Sequence, residues 1–322
     1  MTYIGRLIEV WAWKETTRGT AVAPAKWASK TNITVNDKTE YVTDEGSIGS
    51  IVDTRNTELA KTWAEGDLEM NVGINTIGEY LLWLFGTVTT TSASAWAYEH
   101  AFTLSNSNSI QSLTLGVIDP VEGDRQYPLS TINSLTLSVE EGQFVTCSIN
   151  FMSKTSTSGS LTATYATDYP LLARHSAFKV AANLAWLDAA DPICFKSFEI
   201  TFEKNIEPDF CAGSLEPRNF INKQFAVSGS FTAVYEATTF KWYNLDGTKR
   251  AIRFEIVDSN TTIWATDNPT LSFDMPSVAF TEWDKSQGND EVVTQTLTFK
   301  PLLSYVDGSV CEATLVNTVD TI

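Results

Sequence analysis

Two short stretches, half a chain apart, share one pattern. Residues 49–56 read GSIVDTRN and residues 213–219 read GSLEPRN, each with Gly-Ser, an aliphatic residue and a closing Arg-Asn. Arg55 and Arg218 are separated by about half of the 322 residues, the spacing that a tandem duplication requires. At the same offset Gly66 falls on Gly229, while Leu68, Met70 and Val72 fall on Phe231, Ala233 and Tyr235. Those are alternate positions, so both segments carry an apolar face at strand period.

The echo extends outward. NITVNDKTEYVTDEGSIGS (32–50) pairs with EITFEKNIEPDFCAGS (199–214) after one gap, and GEYLLWLFG (78–86) faces KWYNLDG (241–247). Near the ends FVTCSINF (144–151) matches VVTQTLTF (292–299) at a shorter offset, so loops between have changed length, which a fold tolerates at small entropic cost. Four segments in one order predict a chain built from one unit used twice. Arg55 with Arg218, and Gly66 with Gly229, are then repeat-equivalent structural residues.

The organisation that follows is an N-terminal arm (1–27), unit one (28–155), a linker (156–193) and unit two (194–322). In the arm Ile4, Val10 and Ala12 with Trp11 and Trp13 predict partly extended structure, and Gly19 and Pro24 mark a loop. Unit one reads as strands 30–36, 66–73, 111–117, 131–139 and 143–152. Its helix begins with a capping box, Thr76 and Glu79, runs through Tyr80, Leu81, Leu84 and Phe85, and ends at Gly86. Unit two reads as strands 196–203, 225–235, 250–257, 269–274 and 290–300, with a shorter helix near Thr239–Asn244. The linker starts with the flexible TSTSGSLT, but YPLLARHSAFKVAANLAWLDAADP is too apolar for a free tether and is expected to pack on a unit. The fold class is mainly β: two tandem β-sandwich units, each with one short α-helix.

Composition narrows the chemistry. A hydrophobic content of 43 % is enough for a packed core. The net charge of −17 excludes a protein that wraps DNA by neutralising phosphates. It fits either plain solubility or a surface that repels DNA running beside it. Cys147, Cys194, Cys211 and Cys311 have no metal-ligand spacing; Cys147 sits on the apolar phase of a strand, so a buried free thiol and a reducing compartment are expected. The first residues, MTYIGRLIEVWAWKE, lack the apolar core of a secretory signal, and no apolar run reaches membrane-spanning length, so a soluble protein made in a cytoplasm is expected.

No catalytic constellation emerges. The only two histidines, His100 and His175, lie in different segments, and no nucleophile elbow, phosphate loop or HExxH motif occurs. Glu140-Glu141, Asp44-Glu45 and Asp290-Glu291 read as charged turns. Lys and Arg are scattered singly, which does not fit nucleic-acid readout. Asp53, Arg55 and Arg218 read as members of structural ion pairs. The expectation is no enzyme, no cofactor and no metal.

Several segments resemble a known family in order along nearly the whole chain. KETTRGTAVAP (14–24) is similar to the Lys-Glu-Thr…Gly-Thr-Ala loop of phage tail tube proteins of the long-tailed, siphovirus type. GDLEMNVGINTIGEYLLWLFG, INSLTLSVEEGQFVTCSINFMSK, GSFTAV, DMPSVAF and VVTQTLTFKPL resemble further segments of that family. The resemblance implies a structural virion subunit assembled in the host cytoplasm. Its rings stack into a hollow tail tube, with sheets joined into a continuous inner β-barrel, and viral DNA passes through the lumen without specific binding. Single-unit members are expected to form six-membered rings, so a two-unit chain predicts a trimeric, pseudo-sixfold ring. About four barrel strands per unit then give roughly 24, beyond the 16–18 that already leave an aqueous channel. Implied partners are further copies of the chain and the tape-measure, tail-terminator and distal tail proteins, with no membrane insertion.

The lumen wall would be polar and without basic patches. Candidates are the strand faces opposite the apolar ones: Asp67, Glu69, Asn71, Thr146, Ser148 and Asn150 in unit one, and Ser230, Thr232, Thr294, Thr296 and Thr298 in unit two. The arm, the loop 38–65 and the linker are candidates for ring-to-ring contact, with Trp11, Trp13 and Trp27 as anchors. Two readings stand beside this one: a related tail terminator, baseplate or capsid decoration protein, and a carbohydrate-binding adhesin β-sandwich.

Overall fold

Alternation of apolar and polar side chains draws most of the chain into antiparallel strands. The computed structural model describes residues 3–23, 26–109, 111–264 and 267–322. Pro24, expected to mark the loop after the arm, lies outside the described residues. In the first half the elements are β1 (Glu9–Lys14), β2 (Trp27–Ala28), β3 (Lys30–Asp44), β4 (Asn56–Asn71), α1 (Ile77–Phe85), β5 (Gly86–Ser94), β6 (Ala97–Leu104), β7 (Leu113–Asp119), β8 (Gly123–Glu140), β9 (Thr146–Ser153) and β10 (Thr157–Ser158). They continue with β11 (Ser176–Ala181), β12 (Phe195–Glu203), β13 (Glu207–Asp209), β14 (Asn219–Ile221), β15 (Ala226–Val234), α2 (Thr239–Leu245), β16 (Arg250–Val257), β17 (Thr270–Ser286), β18 (Thr294–Pro301) and β19 (Glu312–Asn317).

The fold is mainly β. Its organising feature is an antiparallel band in the order β3–β4–β9–β8–β12–β15–β18–β17. Four of these strands come from each half of the chain. The halves meet in this band where β8 pairs β12 over Ser134–Glu140 and Ser197–Glu203, and again outside it where β6 pairs β19 over Tyr98–Phe102 and Ala313–Asn317. β1 adds to the first half through β7, and β11 to the second through β16. One main core runs through both halves, from Leu68, Met70 and Phe151 to Phe231, Ala233 and Phe299. Phe178, Phe198, Phe231, Phe254 and Phe299 form its densest part, with Phe198 stacked on Phe254 at 4.0 Å between ring centres. Each such buried ring contributes about 1.5–3 kcal/mol of transfer free energy.

Helix α1 ends as expected, with Gly86 at φ +87°. Its start corrects the predicted capping box. Thr76 makes no cap bond; its hydroxyl donates to Asp168 Oδ2 (2.5 Å), and Asp168 Oδ1 accepts the Asn75 N–H (2.8 Å). Glu79 turns inward to Lys26 (2.7 Å), where burial raises its pKa despite that partner. A carboxylate from the linker thus ties down Asn75 and Thr76, the turn ahead of the helix, while Glu79 is buried with the rest of α1 and held by Lys26.

Residues 38–65, expected as a loop, are mostly strand. β3 and β4 pair from Lys30–Met70 out to Asp44–Asn56 as one long hairpin whose outer part is exposed on both faces. Two exposed faces remove the apolar alternation that marks a strand, while Thr, Val and Tyr still favour extended backbone. The β5–β6 hairpin lacks the signal too: β5 is exposed along most of its length, and the buried face of β6 carries the polar His100 between Ala97 and Phe102. The linker packs as expected: Leu171 is buried and bonds Val72 and Val145 of the first half, and β11 lies on β16 of the second.

Candidate functional site

The band has one apolar and one polar face, set by strict alternation. Leu68, Met70, Cys147, Ile149, Phe231, Ala233, Leu297 and Phe299 are buried on one side. All eleven lumen candidates occupy the other. Asp67, Glu69 and Asn71 stand opposite Asn150, Ser148 and Thr146 across β4–β9. Ser230 and Thr232 stand opposite Thr298 and Thr296 across β15–β18, and Thr294 opposite Val234. Asn150 donates to Asp67 (2.9 Å), and the Thr232 and Thr296 hydroxyls are 3.0 Å apart.

What joins the two groups was not assigned from sequence. Ser134, Thr136 and Ser138 of β8 continue the face from Asn150, Ser148 and Thr146, and Glu203, Thr201 and Glu199 of β12 lie opposite them. Thr136 and Thr201 hydroxyls meet at 3.0 Å, and Ser138 donates to Glu199 (3.3 Å). The signal was present in the alternation SLTLSV and FEITFE; only the pairing partner was missing. Glu282, Asp284 and Ser286 of β17 complete the far side.

The chemistry of this face is uniform. Between Asn32–Asn36 on β3 and Glu282–Ser286 on β17 it presents hydroxyls, amides and carboxylates, with Met152 and Val234 as apolar members, and no lysine or arginine. The basic residues lie beyond it: Lys38 and Lys61 on the projecting hairpin, Lys196 and Lys300 at strand ends. Ion pairing to Glu65 and Glu40 holds the first two. Such a surface can hydrogen-bond water and repel phosphate, but it cannot grip a polyanion. Among the described residues no group of three or more His, Cys, Asp or Glu is placed to hold a metal ion, and no helix is long and apolar enough to cross a membrane.

A family model for phage tail tube proteins matches residues 5–301. The chain belongs to the phage tail tube protein family. No curated protein matches it. Tail tube proteins are structural components of the virion tail.

In this tail tube protein the remaining candidates fall into separate places. Trp11 and Trp27 are buried against each other (6.3 Å between rings) with Leu161, and Trp13 packs half-buried beside them. These rings pack within the chain, and among the arm's described residues the large apolar side chains of Tyr3, Ile4 and Leu7 are exposed. Arg55 pairs with Asp44 rather than Asp53, and Arg218 pairs with Asp209. Each also donates its backbone N–H to that aspartate's carbonyl (2.9 Å), closing a hairpin: the long β3–β4 and the short β13–β14. Gly66 lies opposite Phe151 and Gly229 opposite Phe299, so each ring crosses a glycine.

His100 is fully buried, between Thr90 Oγ1 (2.8 Å) on Nδ1 and Asn317 Oδ1 (3.1 Å) and the Val319 carbonyl (2.9 Å) on Nε2. Two acceptors at Nε2 make it the protonated nitrogen of a neutral ring, and burial lowers its pKa. His175 sits apart, 3.3 Å from Asp258. Cys147 is a buried free thiol, as expected, and burial pushes it up to about 12.

Proposed function

We propose that three copies of this chain close into a pseudo-sixfold ring, that rings stack into the tail tube, and that the polar face of the band lines the lumen through which viral DNA passes to the host. The observation that carries this reading is the band itself. It takes four strands from each half and keeps one face free of basic side chains. Three copies would contribute roughly 24 strands, enough for a wide water-filled bore. DNA would slide past hydroxyls and carboxylates that offer its phosphates no counter-charge.

The tandem-unit division supports the count. In each half an Asp–Arg pair closes a hairpin and a phenylalanine crosses a glycine. Ring-to-ring contact falls to the tip of the β3–β4 hairpin, where Ile48, Ile51 and Val52 are exposed, and to Tyr3, Ile4 and Leu7 of the arm. Tape-measure, terminator and distal tail proteins would engage the tube's bore and ends, and assembly would take place in the host cytoplasm. The role is structural, without catalysis.

Electron microscopy of assembled tubes, averaged without imposed symmetry, tests the reading. Rings with true threefold and approximate sixfold symmetry are expected. Rings of six chains would remove the two-unit account, and a chain that stays monomeric at every concentration would remove the tube. In virions carrying Asp67→Lys and Glu69→Lys, DNA delivery should slow while tails look normal; unchanged delivery would remove the lumen assignment.

A further inference from the structure

The band has two strand edges without a strand partner among the described residues. β3 pairs only with β4, and β17 over Phe280–Ser286 pairs only with β18. Long open edges invite pairing with another chain. The interior of the same molecule shows what pairing these edges are built for.

β17 corresponds to β8. Ile132 of β8 stands opposite Phe151 and Phe280 of β17 opposite Phe299, and each is followed by a bulge, before Ser134 and before Glu282. β3 corresponds to β12: Val35 lies opposite Gly66 and Ile200 opposite Gly229. Thr136 is thereby matched by Asp284, and Thr201 by Asn36. In the seam between the halves β8 pairs β12 with Ser134 opposite Glu203, Thr136 opposite Thr201 and Ser138 opposite Glu199.

Carrying that seam to the open edges, we infer that β17 of one copy pairs antiparallel with β3 of the next in a single register: Glu282 opposite Lys38, Asp284 opposite Asn36 and Ser286 opposite Thr34. The inference rests on the ring proposed above and names its joint. In this register the polar faces run on without a step, as the period of two demands. Lys38, paired with Glu65 of its own hairpin, stands opposite Glu282 and bridges the two carboxylates on the polar face. On the other face Lys285 falls opposite Val35, beside Asp37 opposite Trp283. Sliding by two residues one way sets Glu282 against Glu40, a like-charge pair; sliding the other way removes Glu282 from Lys38. The joint is head-to-tail, and closure of a ring is what spares such an interface from open growth.

Cysteine pairs read the register directly. Asn36→Cys with Asp284→Cys, in a chain carrying Cys194→Ser and Cys211→Ser, is oxidised after assembly and run on non-reducing denaturing gels. Directly opposite residues lie about 4.5–5.5 Å apart, within disulfide reach. The model pair Thr136 and Thr201 brings its hydroxyls to 3.0 Å, so these positions aim side chains at each other. Reducible covalent trimers are expected. Thr34→Cys with Asp284→Cys, a diagonal pair at about 7–8 Å, should stay uncrosslinked. Bridging of the diagonal pair instead, in tubes that still form, overturns the register and leaves the tube reading intact. A parent chain that forms no rings by microscopy overturns the tube reading, and the joint with it. As a second readout, Lys38→Glu should abolish ring formation and Glu282→Lys should restore it in that background; a folded double variant that stays monomeric overturns the pairing.

Discussion

Replacing Gly229 with alanine tests how tightly the two halves are packed around their crossing rings. An added Cβ would lie 2.6 Å from the Glu199 carbonyl oxygen and 2.8 Å from Phe299 Cε2, with Phe299 Cζ closer still. Carbon atoms pack best at about 3.5–4.0 Å, so the overlap is near 1 Å against both a backbone atom and a ring. Turning the ring cannot relieve the backbone clash, because Glu199 is fixed by pairing to both β8 and β15. Overpacking of this kind costs about 1–3 kcal/mol, and contact on two sides places Gly229→Ala near 3. At about 2 °C per kcal/mol for a chain this long, the melting temperature should fall by roughly 6 °C in calorimetry. Phe299→Leu removes the ring overlap and should recover about 1 kcal/mol in a double-mutant cycle. The matching Gly66→Ala should recover less with Phe151→Leu, since its shortest contact is the Thr34 carbonyl rather than the ring. A Gly229→Ala melting temperature within 1 °C of the parent would refute the close crossing, as would a cycle with no coupling.

Three further outcomes are expected. His100 is held neutral below its usual pKa of 6.5, so its contribution is intact above that pH and lost as pH falls toward the folded value, at about 1.4 kcal/mol per unit. Urea midpoints at pH 7.5 and 5.5 should therefore differ less for His100→Gln than for the parent. Asp168→Ala removes the acceptor for the Asn75 and Tyr169 N–H groups and the Thr76 hydroxyl and should cost about 1–2 kcal/mol by chemical unfolding. Serine at Ile48, Ile51 and Val52 should leave stability unchanged and rings intact but shorten or abolish tubes under the microscope.

Local alternation made much of this molecule legible before its structure. The strands at 131–139, 196–203 and 250–257, the glycine at the end of α1 and the polar phase of β4, β9, β15 and β18 follow from periods of two and 3.6 residues. Pairing between distant strands does not, which is why Ser134, Thr136, Glu199 and Thr201 escaped assignment although their strands were expected. The outer β3–β4 hairpin hid because neither face is buried. Glu79 stands three residues after Thr76, as a capping box would have it, yet Lys26 and Asp168, far away in sequence, decide where both side chains turn. The tryptophans of the arm carry no periodicity that separates an anchor from a core residue, and it is the pairing of β1 with β7 that buries Trp11 over Gly116.

The two halves differ most at their hairpins. In the first half β3 and β4 run unbroken out to Asp44 and Asn56, while in the second the matching stretches are split into β12 and β13 and into β14 and β15. A ring of six identical units would carry six equal teeth, and a neighbouring ring could seat at any 60° step. A ring of three of these chains would alternate three unbroken teeth with three that are split along their length. Neighbours would then mesh only at 120° steps, so the duplicated chain would set the angular phase of its own stack.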